Sequence, residues 1–254
     1  MKLLFVESFR KIDKRFVYVV LFDFLFYAGL ALSVILFLKL LAWGLGSLHQ
    51  LPGKFLAMSR MSDFGQLGAG AEDLGLLLNQ FKAKLFVAFV VFWLFVVLVF
   101  TFFKGLAWSF VLGQKIDRKF LIKFFKLNLW WLGIIAGMFL VVFWLTKPAA
   151  TGFSVMLLLA LALYFTPVFY ALFNPKKDVR DLFARLWHVG IERFYFFILP
   201  FIAAKLVLFV FLAVMAVVLL AVVPDIALYG LFACFVVWQS WFKYYVCLVA
   251  GRIK

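Results

Sequence analysis

Six long apolar runs constrain this chain more than any other feature. They cover roughly residues 16–43, 85–103, 127–146, 153–173, 194–223 and 226–250. A helix crosses the hydrocarbon core of a bilayer with about 20 mostly apolar residues, and each run meets that length. Barrel strands would be shorter and would alternate in polarity, which these runs do not. Of the 254 residues, 68% are hydrophobic, and the mean hydropathy is +1.14. A soluble domain is nearer half apolar. Such a chain cannot clothe itself in polar groups, so its solvent is lipid. The expected fold is an all-α, six-span transmembrane bundle. The first run exceeds a signal-peptide core and lacks an A-x-A site after it, so it is expected to stay as a permanent span.

Charge sets the orientation. The net charge is +15, from 26 Lys+Arg against 11 Asp+Glu. Residues 1–15, 104–126, 174–193 and 251–254 hold 18 of the cations, whereas 44–84, 147–152 and 224–225 hold five. The positive-inside rule then places both termini in the cytoplasm of a multi-pass cell-membrane protein. Because the cations cluster between apolar runs, nucleic acid is not the expected partner. Anionic lipid headgroups on the cytoplasmic side are.

A basic phrase appears twice, KIDKRF at 11–16 and KIDRKF at 115–120. Each precedes an apolar run. The spans pair as hairpins 16–103, 127–173 and 194–250, within units of about 1–106, 107–178 and 179–254. An amphipathic cytoplasmic segment is expected at the foot of each. Phe5, Phe9, Ile12 and Phe16 recur at helical spacing, with Glu7, Arg10, Lys11 and Lys14 opposite. Phe183, Trp187, Gly190 and Phe194 repeat that spacing, and Ile116 and Phe120 match Ile12 and Phe16. Helices of this kind lie at the interface with aromatics in the acyl boundary, so Lys11, Lys14, Arg15, Lys115, Arg118 and Lys119 are candidate headgroup contacts. The hairpin ends also correspond: Thr101-Phe102-Phe103-Lys104 matches Ser240-Trp241-Phe242-Lys243, each followed by apolar residues and a Gly. The second span is therefore expected to continue as helix past Lys104. These placements favour a threefold internal repeat, although biased composition also generates short matches. With these phrases and Gly-ended spans, the whole chain resembles uncharacterised six-span prokaryotic membrane proteins with basic amphipathic feet. That class implies a fold and no particular activity.

Asp23 is the one acid in any span. By helix rise it and Lys243 each lie about 10 Å from the cytoplasmic end, and Lys205 about 17 Å. Gln239 and Ser240 share the face of Lys243. A polar cluster of Asp23, Lys104, Lys205, Gln239, Ser240 and Lys243 is expected in the inner leaflet, with Asp23 pairing to Lys243 or Lys104. Its plainer reading is a structural ion pair with snorkelling lysines. Gly133 and Gly137 form a GxxxG, which favours close helix approach. Pro167 and Pro200 are expected to kink their spans, Asp225 to cap the sixth, and Trp43, Trp130, Trp131 and Trp144 to form an interfacial belt.

Residues 44–84 read as an outer loop made flexible by Gly65, Gly68, Gly70 and Gly75, with short interfacial helices at 51–61 and 74–81. GAGAEDLG (68–75) lacks the third glycine of a dinucleotide fingerprint. The sequence has no H-E-x-x-H and no G-x-S-x-G. His49 and His188 are placed on opposite sides of the membrane. Cys234 and Cys247 stand too far apart along one helix to bridge. No catalytic residue, metal site or cofactor is expected. The function expected is that of a noncatalytic scaffold or lipid-interacting membrane protein. The alternative is a small-solute or ion transporter or channel using the cluster around Asp23.

Overall fold

A computed structural model describes residues 2–10, 12–46, 64–146, 148–176, 178–192, 194–223 and 226–252. The expectations for Lys11, His49, the 51–61 segment, Pro224 and Asp225 fall outside these residues. The described chain is helical: α1 (Lys2–Arg10), α2 (Arg15–Leu45), α3 (Phe64–Val99), a π-helical turn (Phe100–Lys104), α4 (Gly105–Leu112), α5 (Arg118–Leu145), α6 (Pro148–Ala171), α7 (Val179–Leu186), a second π-helical turn (Trp187–Glu192), α8 (Phe194–Val222) and α9 (Ala227–Arg252). Among the described residues, six helical segments are long and apolar enough to cross a membrane. Their outward faces are apolar, with Trp144, Phe153 and Phe209 all strongly exposed. Patches on that scale suit a lipid solvent, not water.

Two compact units divide the chain, Met1–Phe26 with Phe100–Lys254, and Tyr27–Val99. In the smaller, Phe37 and Phe92 pack with ring centroids 4.6 Å apart, and the Lys84 amine lies 4.8 Å over the Trp43 ring. This unit corrects the outer-loop expectation. Residues 64–84 are not a flexible loop with a separate helix at 74–81; they are the first turns of α3. An isolated glycine costs a helix only about 1 kcal/mol relative to alanine, and the apolar run beyond supports the helix.

In the larger unit α9 is the most enclosed span, with 56% of its apolar window buried. It packs against α1, α4, α6 and α8. The second span does continue past Lys104, through the π turn into α4. Gly113 ends it at φ 64°, with its N–H on the Phe110 carbonyl and the Gln114 N–H on Ser109. Glycine suits this left-handed cap because it has no Cβ to clash. Helix α5 then buries one face, Phe120, Phe124, Leu127, Asn128 and Trp131. Phe124 packs edge-on to Phe173 at 5.2 Å and tilted against Tyr170 at 5.0 Å. Gly105 lets that face approach, because a Cβ there would lie 3.1 Å from the Phe124 ring.

Several local expectations change. Among the described residues, nothing lies within 4 Å of a Cβ added at Gly133 or Gly137, so no close helix approach is seen at the GxxxG there. Trp131 is a core residue whose Nε1 donates to Thr166 Oγ1 at 2.9 Å, while Trp43, Trp130 and Trp144 are exposed. The first foot is not one continuous amphipathic helix. The chain leaves helical geometry at residues 12–14 before α2 begins. Phe9 stacks on Trp241 at 4.8 Å, and Ile12 and Phe16 pack against the core. These side chains therefore pack on protein with one side, and Phe9 stays exposed on the other. In the third foot Leu182 and Leu186 are buried one residue off the expected stripe, while on the stripe Gly190 is buried, Phe183 is half-buried and Trp187 is exposed.

Candidate functional site: a buried carboxylate between two lysines

Phe16, Val19, Asp23 and Phe26 recur at spacings of three and four, so they share one face of α2. That face meets the rest of its unit. Phe16 packs near Tyr244 with centroids 6.0 Å apart, Phe26 is edge-on to Phe100 at 4.8 Å, and Val19 is fully buried beside Ala107 and Tyr244. Asp23 lies between these apolar contacts with no exposed surface.

Its shell is complete. Lys104 Nζ donates to Oδ1 at 2.8 Å, Ser240 Oγ donates to Oδ2 at 2.6 Å, and Lys243 Nζ donates to both oxygens. The Lys104 amine also sits 4.0 Å over the face of Phe26, a cation–π contact. The sequence predicts one lysine partner and the structure supplies both. The π turn explains how Lys104 gets there. One extra residue in a turn shifts the helical register by about 100°, and Thr101 and Lys104 lie within it.

Gln239 and Lys205 belong to the cluster in a different way. Lys205 Nζ donates to Gln239 Oε1 at 3.3 Å and faces the rings of Phe242 and Phe201 at 4.9 and 5.5 Å. Phe201 and Phe242 also border a small apolar cavity of about 10 Å³ with Tyr164 and Tyr245. That volume is at the lower limit for a single water.

Sequence reasoning missed a second buried polar group. Asn128 Nδ2 donates to Thr101 Oγ1 at 3.3 Å, and the Tyr170 hydroxyl donates to Asn128 Oδ1. The signal was an asparagine inside an apolar run. The Ser8–Trp241 link, 3.1 Å from Nε1 to Oγ, docks α1 on α9 and had no sequence signal.

The repeated phrase has a second role that was also missed. Asp117 caps α5, accepting from the Phe120 N–H at 2.6 Å. Asp13 accepts from the Arg15 N–H at 2.9 Å just as α2 begins. Each copy thus sets an aspartate at a helix start, as the N-cap of α5 and one residue ahead of the N-cap position of α2. Lys14, Arg15, Lys115, Arg118 and Lys119 are exposed around these starts.

The chain matches no family model, no curated protein and no solved structure.

Proposed function

We propose that this chain is a noncatalytic integral membrane protein, a scaffold in contact with lipid, and not a conduit. The observation that carries the reading is the shell of Asp23. A carboxylate that handles a passing ion or proton needs a partner it can release and a water path to reach it. Asp23 has no exposed surface and three donors already on its two oxygens. A group held in that way fixes helices to one another.

The arrangement in the membrane belongs to the same reading. Both termini lie in the cytoplasm of a cell-membrane protein, and three hairpins stand on basic feet, with anionic headgroups as partners. The cation excess on one set of connections supports this orientation. A threefold repeat is supported by two pairs of matching roles. Thr101–Lys104 and Ser240–Lys243 both deliver a lysine to Asp23, and Asp13 and Asp117 both stand at helix starts.

The test is flux. Purified protein in sealed liposomes is expected to pass protons and monovalent ions no faster than protein-free vesicles do. A flux that Asp23→Asn abolishes would assign the transporter reading instead.

A further inference from the structure

Helix α5 is longer than a membrane needs. Its 28 residues reach about 42 Å by helix rise, whereas the hydrocarbon core is about 30 Å thick. The surplus is about eight residues. It falls at the N-terminal end, which holds Arg118, Lys119, Lys123 and Lys126; no charged residue follows Lys126 in this helix. The neighbouring span marks the same level. Trp131 Nε1 donates to Thr166 Oγ1 at 2.9 Å, and the Tyr170 hydroxyl donates to Asn128 Oδ1. Helix α6 ends one residue beyond Tyr170, at Ala171. Both spans thus leave the apolar layer near Asn128. Lys126 stands at its edge, with Lys123 and Lys119 further out among the headgroups. Side chains on a helix lean towards its N-terminus, so the Lys126 ammonium also reaches outward.

The cations share a face with an aromatic ring. Lys119, Lys123, Lys126 and Trp130 recur at spacings of 4, 3 and 4. Lys119, Lys126 and Trp130 are exposed. Lys123 is half-buried and lies 4.0 Å from Asp178, an exposed carboxylate that answers part of its charge. Asp117, at the helix start, is engaged by the Phe120 N–H. Beyond Trp130 the face turns apolar and passes Ile134, Gly137 and Val141, all exposed. The start of α2 is different. After Arg15 its exposed positions are Tyr18, Leu21 and Leu25, with no second cation. From the helix start inward, α5 therefore presents ammonium groups, an indole N–H and then an apolar strip. A phospholipid has its acceptors in the same order, with phosphate outermost, ester carbonyls next and hydrocarbon below.

We propose that Lys123 and Lys126 hold the phosphate of one anionic phospholipid. Lys119 adds positive potential further out, the Trp130 indole donates to an ester carbonyl, and an acyl chain lies along Ile134, Gly137 and Val141. This deepens the lipid-contact reading above and rests on it, naming a single site on one helix. An ammonium donating to a phosphate oxygen is a charge-assisted hydrogen bond, stronger than its neutral counterpart. Juxtamembrane cations also draw anionic lipid to the surface, which raises its concentration at the site.

The experiment uses the full chain in detergent. Dioleoyl phosphatidylglycerol, dioleoyl phosphatidylcholine and inorganic phosphate are titrated separately, with native mass spectrometry and the unfolding midpoint as readouts. Wild type is expected to retain one phosphatidylglycerol and to bind it about tenfold more tightly than Lys123→Gln/Lys126→Gln does, the scale of one charge-assisted hydrogen bond. Lys126→Arg should keep most of the affinity. Trp130→Leu, a change at an exposed position, should lose part of it and gives a second readout if the double variant does not fold. Equal binding by wild type and Lys123→Gln/Lys126→Gln overturns the site, as does equal binding of phosphatidylcholine. Inorganic phosphate that stabilises as much as the lipid, and displaces it, assigns a free anion and overturns the phospholipid. Lys14→Gln/Arg15→Gln separates the two readings. If only that variant loses phosphatidylglycerol, the general lipid-contact reading stands and the α5 site falls. Ion flux in liposomes would instead overturn the scaffold while leaving the α5 result intact.

Discussion

Replacing Asp23 with asparagine removes one charge and strands two. Lys104 and Lys243 would remain among apolar side chains without their shared counter-ion. Breaking a buried pair from one side typically costs about 3–5 kcal/mol. Asp23→Asn is therefore expected to lower the unfolding midpoint in detergent by many degrees. The triple variant Asp23→Leu, Lys104→Met, Lys243→Met removes both partners along with the acid and should recover most of the loss. An unchanged midpoint for Asp23→Asn would show that the pair carries no stability. Part of this site was legible in the sequence because an acid in an apolar run is rare and expensive. Asp23, Lys104 and Lys243 stood out for that reason. Ser240 could be added because it lies three residues before Lys243, on the same face. Asn128 and Tyr170 were not legible as a pair, since a neutral polar side chain in a span gives no hint of its partner 42 positions away.

Helix ends are where sequence and structure agree best and disagree most at the scale of elements. Apolar length located all six spans. The continuation past Lys104 was readable from the terminal glycine, which sits left-handed at the end of α4. Gly113→Ala is expected to destabilise by about 1 kcal/mol, because alanine resists that backbone conformation. Gly133→Ala and Gly137→Ala should be neutral or mildly stabilising, since among the described residues an added Cβ meets no neighbour within 4 Å at either position. Thermal unfolding of the three variants checks the contrast, and a cost above about 2 kcal/mol at Gly133 would mean a packed contact at that position. Among the described residues nothing packs on the GxxxG, because spacing names a face without naming what lies across it. The glycines at 65–75 misled in a related way. They suggested a loop, yet the long apolar run that follows carries the helix back through them. The π turn at Phe100–Lys104 had no signal in the composition, although it places the lysine that completes the Asp23 shell.

At the scale of the whole molecule, the larger unit is organised around α9, which meets α1 through Trp241, α2 through Lys243 and Ser240, and α8 through Gln239. Its aromatic packing and closed ion pair suit a static framework. The basic phrase written twice belongs to this framework, with an aspartate accepting a backbone N–H at the start of two spans, Phe16 and Phe120 packed against the core, and cations left outside. A framework of this kind keeps water from its ionic centre, whereas a conduit admits water to it. Ser240→Cys places a thiol beside Asp23 at nearly the size of the native hydroxyl, in a chain whose own Cys234 and Cys247 are replaced by serine. Sealed vesicles carrying this variant are treated with a membrane-impermeant maleimide from each face in turn, with Lys119→Cys as the exposed reference. The scaffold account predicts no labelling at position 240 from either face until the protein is denatured. Labelling from one face at a rate near that of position 119 would contradict it.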